Sequence, residues 1–194
     1  MKKIFVLMFH PRLESSHVNK FLYNQFLSQN QTIVKDMYEL YPDFNIDIEK
    51  EQKDLLDSDL IIIQHPFYWY AAPPLLKQWT DLVLEYNWAY GRNGDKLKGK
   101  KILHIISSGG NFKTYSNEGS NKFTYLELLR PFELTYNLCQ MKQLPPYIIP
   151  NANKLSVDEL RNHAVKISAF VTSFAQDEPE VEIPTNIEYL NELK

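Results

Sequence analysis

Residues 60–74 read Leu60-Ile61-Ile62-Ile63-Gln64-His65-Pro66-Phe67-Tyr68-Trp69-Tyr70-Ala71-Ala72-Pro73-Pro74. The run Leu60 to Gln64 is what a strand buried on both faces requires, because side chains alternate between the faces and both must be apolar. Four bulky residues follow, Phe67 to Tyr70, and three of them carry polar tips. A loop beyond a buried strand normally faces water, so a core explanation for this cluster is weak. Prolines on both sides hold it rigid, and an aromatic wall of this kind suits a planar heterocycle. Pro74 fits the first position of a helix, where its missing N–H is no loss. A helix from Pro74 to about Tyr86 places Leu75, Leu76, Trp79, Leu82 and Val83 on one face.

Working outward, Ile4 to Phe9 predicts a first buried strand that stops at His10-Pro11. Ser15-Ser16 then offers a cap for a helix carrying Phe21, Leu22, Phe26 and Leu27. Thr32–Met37 reads as a second strand, and the charged segment Asp47–Asp57 as a surface helix. Lys101–Ser107 reads as a fourth strand, followed by Ser107-Ser108-Gly109-Gly110-Asn111. A helix over Tyr125–Leu138, a short fifth strand within Pro145–Pro150 and a helix over Ser156–Phe174 complete the chain. Strands alternating with helices define an α/β fold with a doubly wound, five-stranded parallel sheet covered by helices on both faces. Ligands of such sheets bind at the carboxyl ends of the strands, so the loops after strands one, three and four are the ones to search.

The totals exclude several classes. A formal charge of −3 gives no electrostatic reason to bind nucleic acid. Cys139 is the single cysteine, which rules out an internal disulfide or a multi-thiolate zinc site and fits a reducing compartment. No His and carboxylate residues have metal-ligand spacing, so no metal is expected. Neither a signal core nor a stretch of roughly 20 apolar residues is apparent, and the expectation is a cytoplasmic chain. Residues 1–175 read as one domain and 176–194 as an acidic tail, with Asp177, Glu178, Glu180, Glu182, Glu188 and Glu192 against Lys194. That tail is either solvated or, through Val181, Ile183, Ile187, Tyr189 and Leu190, an arm that packs on a neighbour.

Two loops carry further chemistry. The segment from His10 to Asn19 ends at a helix N-terminus, where free amides and the helix dipole favour a phosphate. Ser16, His17 and Asn19 add side-chain donors; a plainly capped helix is the alternative. Gly109-Gly110 permits close approach of backbone to a ligand, though paired glycines also make ordinary turns.

Taken jointly, Gln64-His65-Pro66, Trp69-Tyr70, Pro73-Pro74-Leu75-Leu76-Lys77, Trp79, Asp81 and Trp88-Ala89-Tyr90-Gly91 resemble the NAD(P)H dehydrogenase (quinone) family. Leu40 to Asp47, and the spacing from His10 to Asn19, are similar to its subgroup of ancillary proteins of glutathione-regulated potassium-efflux systems. The resemblance runs from Lys3 to about Phe170. It implies a flavodoxin-like homodimer with one flavin per subunit, and a two-electron, ping-pong transfer from NAD(P)H to a quinone or similar aromatic acceptor. The resemblance assigns the phosphate and ribityl side to His10, Ser16, His17, Val18 and Asn19. It assigns the isoalloxazine wall to Pro66, Phe67, Tyr68, Trp69 and Tyr70, and the pyrimidine end to Ser107, Ser108, Gly109 and Gly110. The long first loop resembles users of FMN more than users of FAD.

In the mammalian-type enzymes a Tyr and a His six residues apart assist proton movement. Tyr115 matches the first, but Asn121 stands at the second, and Asn takes up no proton near neutral pH. The subgroup implies a membrane antiporter as partner and a location against the inner face of the membrane. A one-electron flavodoxin carrier is the remaining rival, disfavoured by the His-Pro-Arg loop. Asp81 reads as a surface or dimer contact, His65 and His104 as satisfied core or interface histidines, His163 as remote from the site, and Cys139 as a small buried side chain.

Overall fold

A computed structural model describes residues 2–176 and 183–193. Part of the acidic tail, residues 177–182, lies outside the described residues. Four strands form the centre of one parallel sheet: β1 (Ile4–Met8), β2 (Thr32–Asp36), β3 (Leu60–Pro66) and β4 (Lys101–Ser107), in the order β2-β1-β3-β4. β3 is buried throughout because it sits between β1 and β4, with Leu60 level with Ile4 and with Lys101. The order reverses at β1 and β3, the switch point of a doubly wound sheet.

The fifth position holds the strand expected within Pro145–Pro150 and one short strand more. Two short strands fill it, β5 (Lys142–Gln143) and β6 (Tyr147–Ile149), and both pair with β4. Leu144-Pro145-Pro146 separates them, since neither proline can donate to the ladder. The sheet therefore has six strand segments rather than five.

Alternation sorts the strand residues to two faces. Ile4, Val6, Leu60, Ile62, Leu103 and Ile105 pack with α1 (His17–Leu27) and α7 (Val157–Gln176). Leu7, Ile61, Ile63 and Ile102 face α2 (Met37–Leu40), α3 (Ile48–Asp57), α4 (Pro74–Val83) and α6 (Arg130–Leu138). The helix expected over Tyr125–Leu138 is split into α5 (Tyr125–Leu128) and α6, with Leu129 between them and Pro131 in the first turn of the second. Among the described residues no helix is long and apolar enough to cross a membrane.

α3 is not the plain surface helix that its charges suggest. Glu51 is only 1% exposed and collects three donors. Lys35 Nζ donates to it at 2.7 Å, Tyr41 Oη at 2.8 Å and Trp79 Nε1 at 3.1 Å. Lys35 also pairs with Asp54. One carboxylate thus joins β2, the residue capping the end of α2, α3 and α4, and Trp79 in turn packs edge-on against Phe9 at 6.0 Å. Removing one partner of a buried charge pair leaves the other uncompensated. Glu51→Ala is expected to lower unfolding free energy by about 3 kcal/mol in urea titrations, whereas breaking the exposed Lys77–Asp81 pair with Asp81→Ala should change it by less than about 1 kcal/mol.

Candidate functional site

The loops after β1, β3, β4 and β6 converge on one cleft of about 640 Å³. The structure brings His10, Ser16, His17, Val18, Asn19, Pro66, Phe67, Tyr68, Ser107 and Gly109 onto its walls. Trp69, Tyr70, Ser108 and Gly110 do not line it. Trp69 and Tyr70 stand beside it on an exposed turn, Ser108 is buried, and Gly110 follows the lining Gly109. Tyr115 lies behind the aromatic loop, 5.6 Å from Phe67 and 6.3 Å from Tyr70 between ring centres. Asn121 is not brought to the cleft; its amide donates to the Thr114 carbonyl at 3.2 Å.

At the β1 side, Ser16 caps α1 by accepting from the Asn19 amide at 3.2 Å. The amides of His17 and Val18 lie in the first turn, where a helix offers no internal acceptor. They open toward the cleft together with the exposed side chain of Arg12, which has no ion-pair partner among the described residues. This donor set suits a phosphate dianion. Asn19 acts differently from a simple ligand contact. Its Nδ2 donates to Ser16 Oγ at 3.0 Å and to Ser107 Oγ at 2.8 Å, and its Oδ1 accepts from Gln64 Nε2 at 3.4 Å. The side chain is thereby committed to holding the start of α1 to the ends of β3 and β4.

His10 is 5% exposed. Its Nδ1 accepts from the Arg12 amide at 3.1 Å, which leaves the proton of the neutral ring on Nε2, 3.4 Å from Tyr68 Oη. Burial pushes its pKa down and keeps that neutral form.

The aromatic loop is a tight turn. Ala71 N–H donates to the Tyr68 carbonyl at 3.0 Å, and the two central residues are both left-handed, Trp69 at φ 50° and Tyr70 at φ 62°. That pairing marks a type I′ turn, normally made by Asn-Gly or Gly-Gly. Two large aromatics here store roughly 1–3 kcal/mol each. Trp69 gains no burial in exchange, being 92% exposed. Strain of this kind concentrates at functional positions.

On the β4 side, backbone is bared by Gly109-Gly110. A Cβ on Gly110 would come within 2.7 Å of the Tyr115 ring, whereas one on Gly109 would make an ordinary contact with Asn153. The loop after β6 supplies Ala152 and Asn153, and the Ala152 and Asn151 amides donate to the carbonyls of Ser108 and Gly110. Sequence reasoning missed Arg12, Ser15, Ala152 and Asn153. The polar run Asn151-Ala152-Asn153 directly after a buried strand was the available signal.

Behind the wall lies a buried relay of side chains. His65 Nδ1 is 3.0 Å from the Pro66 carbonyl, which can only accept, so that nitrogen carries the proton. His65 Nε2 then accepts from His104 Nδ1 at 3.1 Å, and His104 Nε2 accepts from Tyr136 Oη at 2.8 Å. The directions are fixed only while both rings are neutral.

The sequence profile of the flavodoxin-like fold family matches residues 2–171, and the chain belongs to that family. It is 39% identical over 192 residues to the uncharacterized NAD(P)H oxidoreductase YdeQ of Bacillus subtilis (strain 168), covering 99% of this chain and 95% of that protein. It is 38% identical to the glutathione-regulated potassium-efflux system ancillary protein KefG of Salmonella newport (strain SL254), covering 84% and 88%. Among solved structures, general stress protein 14 of Treponema denticola in complex with FMN superposes with a TM-score of 0.83 at 34% identity, over 88% of this chain and 98% of that one. An NADPH-quinone reductase from P. pentosaceus gives 0.78 at 29%, over 87% and 97%.

The histidine relay predicts a pH dependence. Burial lowers the His65 pKa to about 4, and burial together with His65 drives His104 well below its ordinary value. An unfolded histidine binds a proton below about pH 6.5. Between that point and about pH 4 the unfolded chain holds more protons, so stability is full above the window and falls as the pH drops through it. The slope is at most about 1.4 kcal/mol per pH unit for each histidine. Urea titrations at pH 7 and pH 5 should show this loss, and His104→Leu should lower stability at pH 7 while flattening the slope.

Proposed function

We propose that this chain is an FMN-dependent oxidoreductase that takes a hydride from NAD(P)H and delivers two electrons to a quinone or a similar flat aromatic acceptor. One observation carries the reading: a single cleft joins unsatisfied helix N-terminal amides to an aromatic wall. A nucleotide with a phosphate at one end and a flat ring at the other needs that pair of surfaces. The names of YdeQ, the FMN-bound Treponema protein and the P. pentosaceus reductase support it.

The residues divide the work. The His17 and Val18 amides, Ser16 and Arg12 hold the phosphate. Phe67 and Tyr68 flank the ring, with Trp69 and Tyr70 extending the wall outward. The backbone of Gly109-Gly110 supplies donors for negative charge at the ring's polar edge. Neutral His10 orients the Tyr68 hydroxyl, and Tyr115, packed against Phe67 and Tyr70, is the group we assign to hydrogen-bond an acceptor's oxygen. When bound, FMN supplies the hydride-carrying chemistry itself. Nicotinamide and acceptor use the same exposed slot in turn, so the first must leave before the second enters. A second subunit covering the exposed Trp69 completes the slot, and the working form is a cytoplasmic homodimer.

A second reading rests on the identity with KefG: an ancillary subunit of a potassium-efflux antiporter at the inner face of the membrane. Co-purification with such an antiporter, without quinone reduction, would favour it.

Purified protein should be yellow and release FMN on denaturation; a colourless protein that does not take up FMN ends the central proposal. Initial rates varied in both substrates should give parallel double-reciprocal lines, and converging lines would exclude a shared slot. Trp69→Gly and Trp69→Ala should both weaken FMN binding. The glycine variant should be the more stable by about 1 kcal/mol, because only it relieves the left-handed backbone.

A further inference from the structure

Residues 183–193 return to the sheet as an arm. The Asn191 side chain meets the outer edge of β6 as a neighbouring strand would: Oδ1 accepts from the Ile148 amide at 2.8 Å, and Nδ2 donates to the Ile148 carbonyl at 2.7 Å. Leu190 N–H donates to the Pro146 carbonyl at 3.0 Å. Glu192 closes the turn by accepting from the amides of Glu188 and Tyr189 at 3.2 and 3.0 Å. Leu190 is buried among the residues of the α1 and α7 face.

Tyr189 enters a different cluster. Its ring meets Phe112 edge-on at 4.9 Å, and Phe112 meets Tyr125 at 5.6 Å. Tyr125 stacks on Tyr115 at 4.1 Å, and Tyr115 reaches Phe67 in the cleft wall. The Tyr125 hydroxyl also donates to the Gly110 carbonyl at 3.1 Å. The arm is thus linked ring by ring to the loop after β4. That loop has no regular secondary structure before α5, and Gly109, Gly110 and Gly119 contribute no side-chain packing of their own. Its shape depends on where Phe112 and Tyr115 are anchored. The arm lies beyond the stretch that the family profile matches, and the sheet is complete without it.

We infer that the arm is a positioning element of the cleft, in which Tyr189 sets Phe112 and Tyr125 and so holds Gly109 to Tyr115 in the form that receives the cofactor's ring. Its functional half rests on the FMN reading above. Tyr189 acts through the loop and is not itself a catalytic residue.

The test uses the full chain as wild type, Tyr189→Ala, Tyr189→Phe and Asn191→Ala, with two readouts. Hydrogen exchange follows the amides of residues 108–125, and flavin fluorescence gives the Kd for FMN. Tyr189→Ala and Asn191→Ala should speed exchange in that loop by about tenfold, the scale of one lost aromatic pair, while amides of β1 and β3 keep their protection. FMN should bind about tenfold more weakly to both, and Tyr189→Phe, which keeps the ring but loses the hydroxyl's bond to the Leu126 backbone, should stay closer to wild type than Tyr189→Ala. Unchanged loop exchange in Tyr189→Ala, or loosening spread evenly through the sheet, overturns the inference. A loosened loop with an unchanged Kd overturns its functional half. Wild-type protein that takes up no FMN sinks the cofactor reading instead, and the exchange data still decide whether arm and loop are coupled.

Discussion

The carboxamide of Asn19 ties the carboxyl edge of the sheet together. It reaches the cap of α1 through Ser16, the end of β3 through Gln64 and the end of β4 through Ser107. Buried donors and acceptors that lose their partners are costly, so these three elements share one register at the mouth of the cleft. Ser107 extends the tie, since its carbonyl accepts from the Phe67 amide at 2.8 Å and so fixes where the aromatic loop begins. The amides of α1, the aromatic wall and the bared glycines stand opposite one another because this one side chain spans them.

Around that tie the protein separates stiffness from exposure. Glu51 locks the outer helices with charged and aromatic partners, and the His65–His104–Tyr136 relay backs the end of β3. The Pro66 carbonyl receives both His65 and the Tyr68 amide, which carries the stiffness up to the strained turn. Trp69 and Tyr70 can then be held in an unfavourable conformation with little burial of their own. A rigid support under a strained, open surface is what binding a flat partner in a defined pose demands.

Much of this was legible in the residues. The apolar runs at Ile4, Leu60 and Lys101 gave three central strands, because a strand covered on both faces admits little else. Three of the four cleft loops followed from the rule that ligands gather at strand carboxyl ends. What stayed hidden depends on distant partners. Glu51 looks like any surface glutamate until Lys35, Tyr41 and Trp79 converge on it. Asn19 reads as a ligand contact until Ser107, 88 residues away, accepts its hydrogen bond. Trp69 and Tyr70 have no propensity for left-handed backbone, so only the surrounding turn reveals it. The split at Leu144-Pro145-Pro146 and the restart at Pro131 were written in proline, but as breaks inside elements rather than as their ends.

The edge of β6 carries a consequence of another kind. An unpaired strand edge is a template for other chains. Here one asparagine side chain occupies the outward peptide groups of Ile148 and stands in for a whole neighbouring strand. A chain shortened to the stretch shared across the family would keep every residue of the cleft and yet leave a bare, apolar Tyr147–Ile149 segment at its margin. Such a shortened protein would risk self-association, and the last residues of the chain therefore bear on its solubility.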